Sequence, residues 1–287
     1  MKESARHGKS TKSSRDSYFV MSLARGLAVL KAFTPERPEL SLSEIAAVAG
    51  VTNPSALRIG HTLVELGFLT RNPLTKGYRV GPGVLTLGMA SLCSMSLLDI
   101  AEPYLAQLRD DAGETVKLAV LHGSEMVYIG RFPSTIHPQT GSTYVGSRLP
   151  AGQTCTGRAI LALLDEQEAR RIVESGWRQQ FTDKSLITLD EIMAELAATS
   201  QRGFSVDDQG TTLEHRSAAA ALVGPLGHPV GAINLSVSAQ RISVEKLCTD
   251  LAPQLLATAA KISAMLPPEP PQDVRPYMNG APLVGGC

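Results

Sequence analysis

Apolar positions recur at helical spacing in the first third of the chain and give way to strand-like alternation beyond Thr115. Leu23, Leu27 and Leu30, with Phe33 beyond, predict a helix behind Ser22 as its N-cap. Pro35 and Pro38 then break the chain. Ser41 with Glu44 forms the capping box of a second helix, with an inner stripe expected at Ile45, Val48 and Ala49 and a stop at Gly50. A third helix follows at once. Asn53 is its expected N-cap, Pro54 its first helical residue, and Ala56, Ile59, Leu63 and Leu66 its core face. Gly67 ends it, and Phe68–Arg71 with Tyr78–Val80 flank an Asn-Pro-Leu-Thr-Lys-Gly turn, which predicts a hairpin.

Helical spacing returns at Leu85, Met89 and Leu92, and again behind Ser96 with Leu97, Ala101, Tyr104, Leu105 and Leu108 on one side. Such a stretch reads as a connector that also supplies a dimer contact, or as an ordinary packing helix. From Thr115 the pattern predicts strands at Val116–Val120 and Met126–Phe132, joined around His122-Gly123. Helices are expected at Thr154–Leu164, at Asp165–Ser175 with Asp165 and Glu168 as a capping box, and at Leu189–Arg202 between Thr188 and Gly203. Strands return at Phe204–Val206, Ala218–Val223 and Val230–Val237, and a last helical region spans Val244–Leu266 with a bend at Pro253. Sheet and helices in this order predict an α+β fold.

Charge then changes the picture. The chain has 287 residues and a formal net charge of zero. Yet residues 1–90 hold 12 Lys+Arg against 6 Asp+Glu, and residues 91–287 hold 15 against 21. A basic module is joined to an acidic one, which opens nucleic-acid binding to a chain whose total would argue against it. No apolar run reaches the roughly 18 residues of a membrane span, so no membrane partner is expected. The start lacks the apolar region of a secretory signal, and Cys93, Cys155, Cys248 and Cys287 are widely separated. Both features fit a reducing cytoplasm. Residues 1–17 and the Pro-rich 267–287 read as disordered tails.

Helices joined by a tight glycine turn and followed by a basic hairpin form a winged helix-turn-helix pattern. A small helical subdomain without DNA contact shares it. The third helix favours DNA, because its outer face carries Asn53, Ser55, Leu57, Arg58, His61 and Thr62. Short polar side chains let a helix sink into the major groove, and arginine grips guanine or phosphate. Arg71, Lys76 and Arg79 on the hairpin would meet phosphates.

No enzyme constellation stands out. There is no G-x-S-x-G elbow, P-loop or G-x-G-x-x-G, no helical His pair for a metal, and no cofactor motif. Cys155 reads better as a small buried thiol than as a nucleophile. The Arg148–Arg158 loop opens a helix whose N–H groups could hold an anion, and Arg131, Arg148 and Arg216 are candidates to grip a carboxylate. The alternative for each arginine is a neighbouring acid of this acidic module.

These residues resemble the IclR family of bacterial transcription regulators over nearly residues 20–265. The matching pieces are Ser22–Leu30, Leu42–Ala46 with Arg58, Gly77–Gly81, Gly113–Val120, Val145–Pro150, Thr154 with Gly157–Ala159, Arg202–Asp207 and Ala232–Val237. The resemblance is closer to the subgroup controlling protocatechuate, β-ketoadipate and hydroxybenzoate breakdown, through Arg25–Phe33, Thr62–Phe68, Ser94–Leu97, Ala101–Pro103, Asp208-Gln209 and Arg216-Ser217. It implies a winged helix-turn-helix over 18–81, a linker and dimerisation helix over 82–96, and a GAF-like effector-binding domain over 97–266. It implies a palindromic double-stranded DNA operator, a homodimer or dimer of dimers, and a small aromatic carboxylate as effector. RNA polymerase is a further candidate partner. Many members of the subgroup activate transcription when effector is present. By position, Leu149, Cys155, Thr156, Asp207 and Ser217 would line the effector site. A repressor answering a non-aromatic acid, or a small-molecule enzyme with an interaction module, are the competing readings.

The sequence departs from the family pattern at several points. Gly60 replaces a usual leucine inside the third helix, at a cost of roughly 1 kcal/mol against alanine. Gly210 replaces an acidic residue, Glu214 replaces a glycine, and Ala218–Ala221 is unusually small, which would leave space for a ring.

Overall fold

The computed structural model describes residues 19–34, 37–93, 96–136 and 143–267. The expected tail at 1–17, Pro35, His137, and all but the first residue of the expected tail at 267–287 lie outside the described residues, as do the side chains of Met89, Leu92 and Cys93. Chain contacts divide the protein into two compact units that meet between Ser91 and Leu92.

The first unit runs α1 (Met21–Lys31), β1 (Glu39–Leu40), α2 (Leu42–Ala49), α3 (Asn53–Glu65), β2 (Leu69–Arg71) and β3 (Tyr78–Val80), before α4 (Pro82–Cys93). Its strands form a small antiparallel sheet in the order β1-β3-β2. The α2 box is formed as expected, with Ser41 Oγ accepting from Glu44 N and the Glu44 carboxylate accepting from Ser41 N. These bonds, with Arg37 close by, hold the Glu44 carboxyl down at about 2. Gly50 turns the chain left-handed at φ 60°.

Two caps differ from expectation. α1 starts one residue before Ser22, behind Val20, which has no side chain to cap it. α3 starts at Asn53 itself, with Thr52 in the cap position, so Pro54 is its second residue. Val48 is exposed and Ala46 takes its place in the core; Leu66 is exposed and Ile59 half-buried, so α3 buries Ala56, Gly60 and Leu63.

The place of a leucine at position 60 is taken by a ring from the wing. A Cβ on Gly60 would lie 2.9 Å from Tyr78 Cε1 and 3.0 Å from Cζ, and Tyr78 is 2% exposed. The wing therefore packs its tyrosine directly on the α3 backbone.

The second unit contains α5 (Ser96–Ala112), β4 (Thr115–His122), β5 (Glu125–Phe132), β6 (Arg148–Pro150), α6 (Cys155–Leu161), α7 (Glu166–Ser175) and α8 (Leu189–Arg202). β7 (Ser205–Asp208), β8 (His215–Val223) and β9 (Pro229–Ser238) complete one six-stranded antiparallel sheet in the order β6-β5-β4-β9-β8-β7. The chain closes with α9 (Val244–Lys246), a π-helical turn at Leu247–Leu251 and α10 (Ala252–Met265). The irregularity expected at Pro253 thus falls in the turn before it, where the missing proline N–H is absorbed by wider winding. Asp165 caps α7 by accepting from Gln167 N, not through a box with Glu168.

Strand alternation sorts the side chains onto two faces. Val116, Leu118 and Val120 of β4, Ala218 and Ala220 of β8, and Ile233 and Leu235 of β9 form one core with α5 and α10. Ala119, Ala219 and Ala232 look the other way, into a core with α6, α7 and α8. Ala218–Ala221 is therefore divided between two cores, and its small size seats α6 close to the sheet.

Candidate functional site

Two surfaces carry chemistry, one in each unit. In the first, Asn53, Leu57, Arg58, His61 and Thr62 are exposed along α3, and Ser55 is half-buried. Thr62 Oγ1 donates to Arg58 O at 2.8 Å, so its hydroxyl is held on its own helix. Ser55, Arg58 and Thr62 lie toward α1, bordering a hollow of about 660 Å³ whose other walls include Leu23, Leu27, Ile59 and Leu66. On the wing, Arg71 covers the Tyr78 ring at 5.7 Å and donates to Lys76 O at 3.3 Å. Lys76 takes a left-handed φ of 60°. Arg79 is committed to Glu39 at 2.7 Å. Glu39 also accepts from Asn72 and Thr75, and these bonds hold its carboxyl below the usual range. The wing is thus rigidly tied to β1, with Arg71 and Lys76 as the cations left for phosphate.

In the second unit, the sheet face under α6 changes character toward the Thr115 end of β4. The alternate positions pass from Ala119, Ala219 and Ala232 to Lys117, Ser217 and Asn234, with Ser236 and Asp207 in register beyond. A cavity of about 90 Å³ opens over this polar row. Lys117, Tyr128, Leu149, Cys155, Asp207, His215, Ser217, Asn234 and Ser236 line it, with Thr143, Phe181, Thr211 and Thr212 at its other walls.

Four residues expected at an effector site meet here: Leu149, Cys155, Asp207 and Ser217. Cys155 Sγ lies 3.0 Å from Ser217 Oγ, and burial pushes its thiol up, so it is a neutral hydrogen-bonding group and not a nucleophile. Asp207 accepts from Thr211 Oγ1 at 3.0 Å and Thr211 N at 3.3 Å. It also pairs with Arg158 at 3.4 Å. Arg158 is 2% exposed and donates to Gln153 O at 3.0 Å and Val206 O at 2.7 Å. Gly210 belongs to this arrangement, since a Cβ there would stand 2.6 Å from Asp207 Oδ1.

The other expected residues do not join the cavity. Thr156 lies behind it, bonded to the Tyr128 hydroxyl at 3.3 Å. Arg148 is paired with Glu125, which also accepts from Trp177 Nε1. Arg216 is consumed by Asp208 and by the carbonyls of Ala239 and Ile242. Arg131 is the cross-strand neighbour of Lys117 but is not among the lining residues. The loop expected to hold an anion opens α6, a seven-residue helix whose Thr154 cap takes Gly157 N.

Sequence reasoning passed over the cation that does line the cavity. Lys117 is half-buried, with the Tyr128 ring 5.9 Å from its ammonium. Among the described residues it has neither a carboxylate partner nor a hydrogen bond. Burial pushes it down to about 8, reinforced by the charge of Arg131. Burial also lowers His215. A lone lysine at an alternating strand position among apolar neighbours was the available signal.

Family models fit both units: an IclR helix-turn-helix domain over residues 22–73 and a bacterial transcriptional regulator IclR C-terminal domain over residues 89–264. The chain is 32% identical to the Pca regulon regulatory protein of Pseudomonas putida, covering 88% of this chain and 86% of that protein. It is 29% identical to the transcriptional repressor IclR of Escherichia coli, covering 85% and 89%. A crystal structure of an IclR family transcriptional regulator from Brucella abortus matches with a TM-score of 0.74 at 29% identity, covering 91% and 97%.

Proposed function

The chain belongs to the IclR family of bacterial transcriptional regulators, and from that premise we propose that it controls an operon for aromatic-acid breakdown, activating it when an aromatic carboxylate enters the cavity beside Lys117. It is a regulator, not an enzyme, as are its relatives. In this reading Asn53, Ser55, Arg58 and His61 address base edges of a palindromic operator, and Arg71 and Lys76 address phosphates. Two copies of the chain, or a dimer of dimers, supply the matching symmetry.

The observation that carries the effector half of the proposal is Lys117. It is a cavity-lining ammonium with no acid of its own among the described residues, in a unit where Arg148 and Arg216 are already engaged. Similarity to the Pca regulon regulatory protein favours the aromatic subgroup. Ligand shifts the regulator only through unequal affinity for two arrangements of the protein.

A second reading is a repressor that answers a smaller, non-aromatic acid. The cavity supports it, because about 90 Å³ is less than the roughly 150 Å³ that accommodates benzene in an engineered protein cavity. An aromatic acid then requires the Thr143 and Phe181 walls to move outward.

A thermal-shift screen with benzoate, 4-hydroxybenzoate, protocatechuate, phthalate, pyruvate and glyoxylate separates the two readings. Each acid that shifts the protein is then added to a promoter fragment carrying a palindrome, titrated at several salt concentrations. Stabilisation by aromatic acids alone, with a ligand-dependent band shift, supports the first reading. Stabilisation by pyruvate or glyoxylate alone supports the second. No salt-dependent shift on any palindrome removes the DNA half.

A further inference from the structure

Beside Lys117, the cavity wall carries an acceptor in the complementary condition. Asn234 is 3% exposed, and its amide N–H donates to Cys155 Sγ at 3.8 Å. Its Oδ1 is buried and accepts from nothing among the described residues. Buried amide oxygens almost always have a donor, so this one calls for an explanation.

Asn234 is the register partner of Lys117 across β4 and β9. The two side chains leave the sheet on the same face and line the same cavity. Among the described residues, one presents three ammonium hydrogens without an anion and the other a carbonyl oxygen without a donor. Ser217 Oγ is bonded to Cys155 Sγ, and Thr211 Oγ1 donates to Asp207.

A ligand that satisfies both groups needs a negatively charged acceptor and a hydroxyl hydrogen within reach of two adjacent strands. We propose that Lys117 and Asn234 together make this cavity selective for hydroxylated carboxylates, with the carboxylate on the Lys117 ammonium and the ligand hydroxyl donating to Asn234 Oδ1. This rests on the reading that an acid effector occupies the cavity, and it adds the second functional group that the acid must carry. A site built around a hydroxyl rejects the analogue that lacks it, because the acceptor is then left buried and unpaired.

Isothermal titration of the full-length protein with matched pairs tests this: 4-hydroxybenzoate against benzoate, and lactate against propionate. In at least one pair the hydroxylated acid binds tighter by about tenfold or more. Asn234→Leu removes that preference while the deoxy acid still binds, and Asn234→Ser, a gentler change, weakens the preference in the same direction. Lys117→Met weakens both members of the pair by about tenfold or more, and Lys117→Arg restores part of the loss. Trp177 fluorescence on thermal unfolding verifies that each variant keeps the fold of the second unit. Equal binding of both members of both pairs to the wild type overturns the inference. So does a preference that survives both Asn234 variants, or acid binding indifferent to Lys117→Met. In the first two of these cases the acid-effector reading still stands, whereas indifference to Lys117→Met also removes Lys117 as its carrier. Absence of any binding to the wild type overturns both together.

Discussion

Replacing Gly60 with alanine tests how α3 is seated against the wing. In an unhindered helix the change would stabilise by about 1 kcal/mol through lower backbone entropy in the unfolded chain. Here the new methyl would stand 2.9 Å from Tyr78 Cε1, where ordinary contact begins near 3.4 Å, so the ring must retreat by about half an ångström. Tyr78 is 2% exposed and shares its core with Leu40, Ile45, Ala56 and Leu69, which leaves little room. Overpacking of this kind costs about 1–3 kcal/mol. The expected sum in the wild-type background runs from neutral to about 2 kcal/mol destabilising. In a Tyr78→Leu background the methyl has space, and the helix gain of about 1 kcal/mol is expressed alone. The cycle therefore carries a coupling energy of about 1–3 kcal/mol. Hydrogen exchange read by mass spectrometry on peptides covering α3 to β3 in the full-length protein measures each corner. The sole tryptophan, Trp177, lies in the other unit and serves as a control that should not change. If Gly60→Ala stabilises α3 by about 1 kcal/mol in both backgrounds, Tyr78 does not fill the missing side chain's place.

Four further outcomes are expected. A bound carboxylate that returns Lys117 from about 8 to its ordinary 10.5 takes up a proton, so acid affinity falls about tenfold between pH 7 and 9 and flattens in Lys117→Met. His215, lowered by burial, and Cys155, raised by it, keep their neutral forms over that window, so an unchanged titration enthalpy and Kd would refute the assignment; without ligand, the same depression makes stability rise as pH climbs from about 8 toward 10.5. Arg158→Met leaves Asp207 buried without its cation and should destabilise the second unit by about 3–5 kcal/mol in urea unfolding followed by Trp177; a loss under about 1 kcal/mol would contradict the pairing. Arg58→Ala should weaken operator binding by about 1–3 kcal/mol in a gel-shift titration, whereas Lys76→Ala should weaken operator and random duplex alike and lower the salt slope by about one. Glu44, held at about 2, contributes stability to α2 above its unfolded value of 4.5 and loses it as pH falls toward 2; the protection of α2 amides relative to the unfolded chain should fall across that window, and Glu44→Gln should remove the pH dependence.

The fold was largely legible because its signals are local. The Ser41–Glu44 and Thr188–Glu191 boxes, with Gly50 and Gly203 in left-handed conformation, mark helix ends from a few adjacent residues. Leu97, Ala101, Leu105 and Leu108 declare the buried side of α5 by spacing alone. Features that depend on distant partners were not legible. Nothing near Gly60 signals that a ring from Tyr78 will cover it, and nothing near Arg148 or Arg216 signals Glu125 or Asp208. The preference for arginine as carboxylate binder was chemically sound but misdirected, because Arg148 found Glu125 first and Arg216 found Asp208 and two carbonyls. Lys117 escaped notice because an alternating strand gives no clue which face becomes a cavity until the sheet order places Asn234 beside it.

β4 is a wall one peptide thick. Lys117 faces the cavity, while Val116 and Leu118 on either side of it face the core that holds Leu97, Ala101 and Leu105 of α5. A shift of the strand at Lys117 moves Val116 and Leu118 with it, and these carry the displacement to the opposite face with no intermediate layer to absorb it. The chain passes from the first unit to the second inside α4, between Ser91 and Leu92, and α5 is the first helix wholly within the second unit. The cavity and the first helix wholly within the second unit are thus faced by the odd and even positions of a single strand.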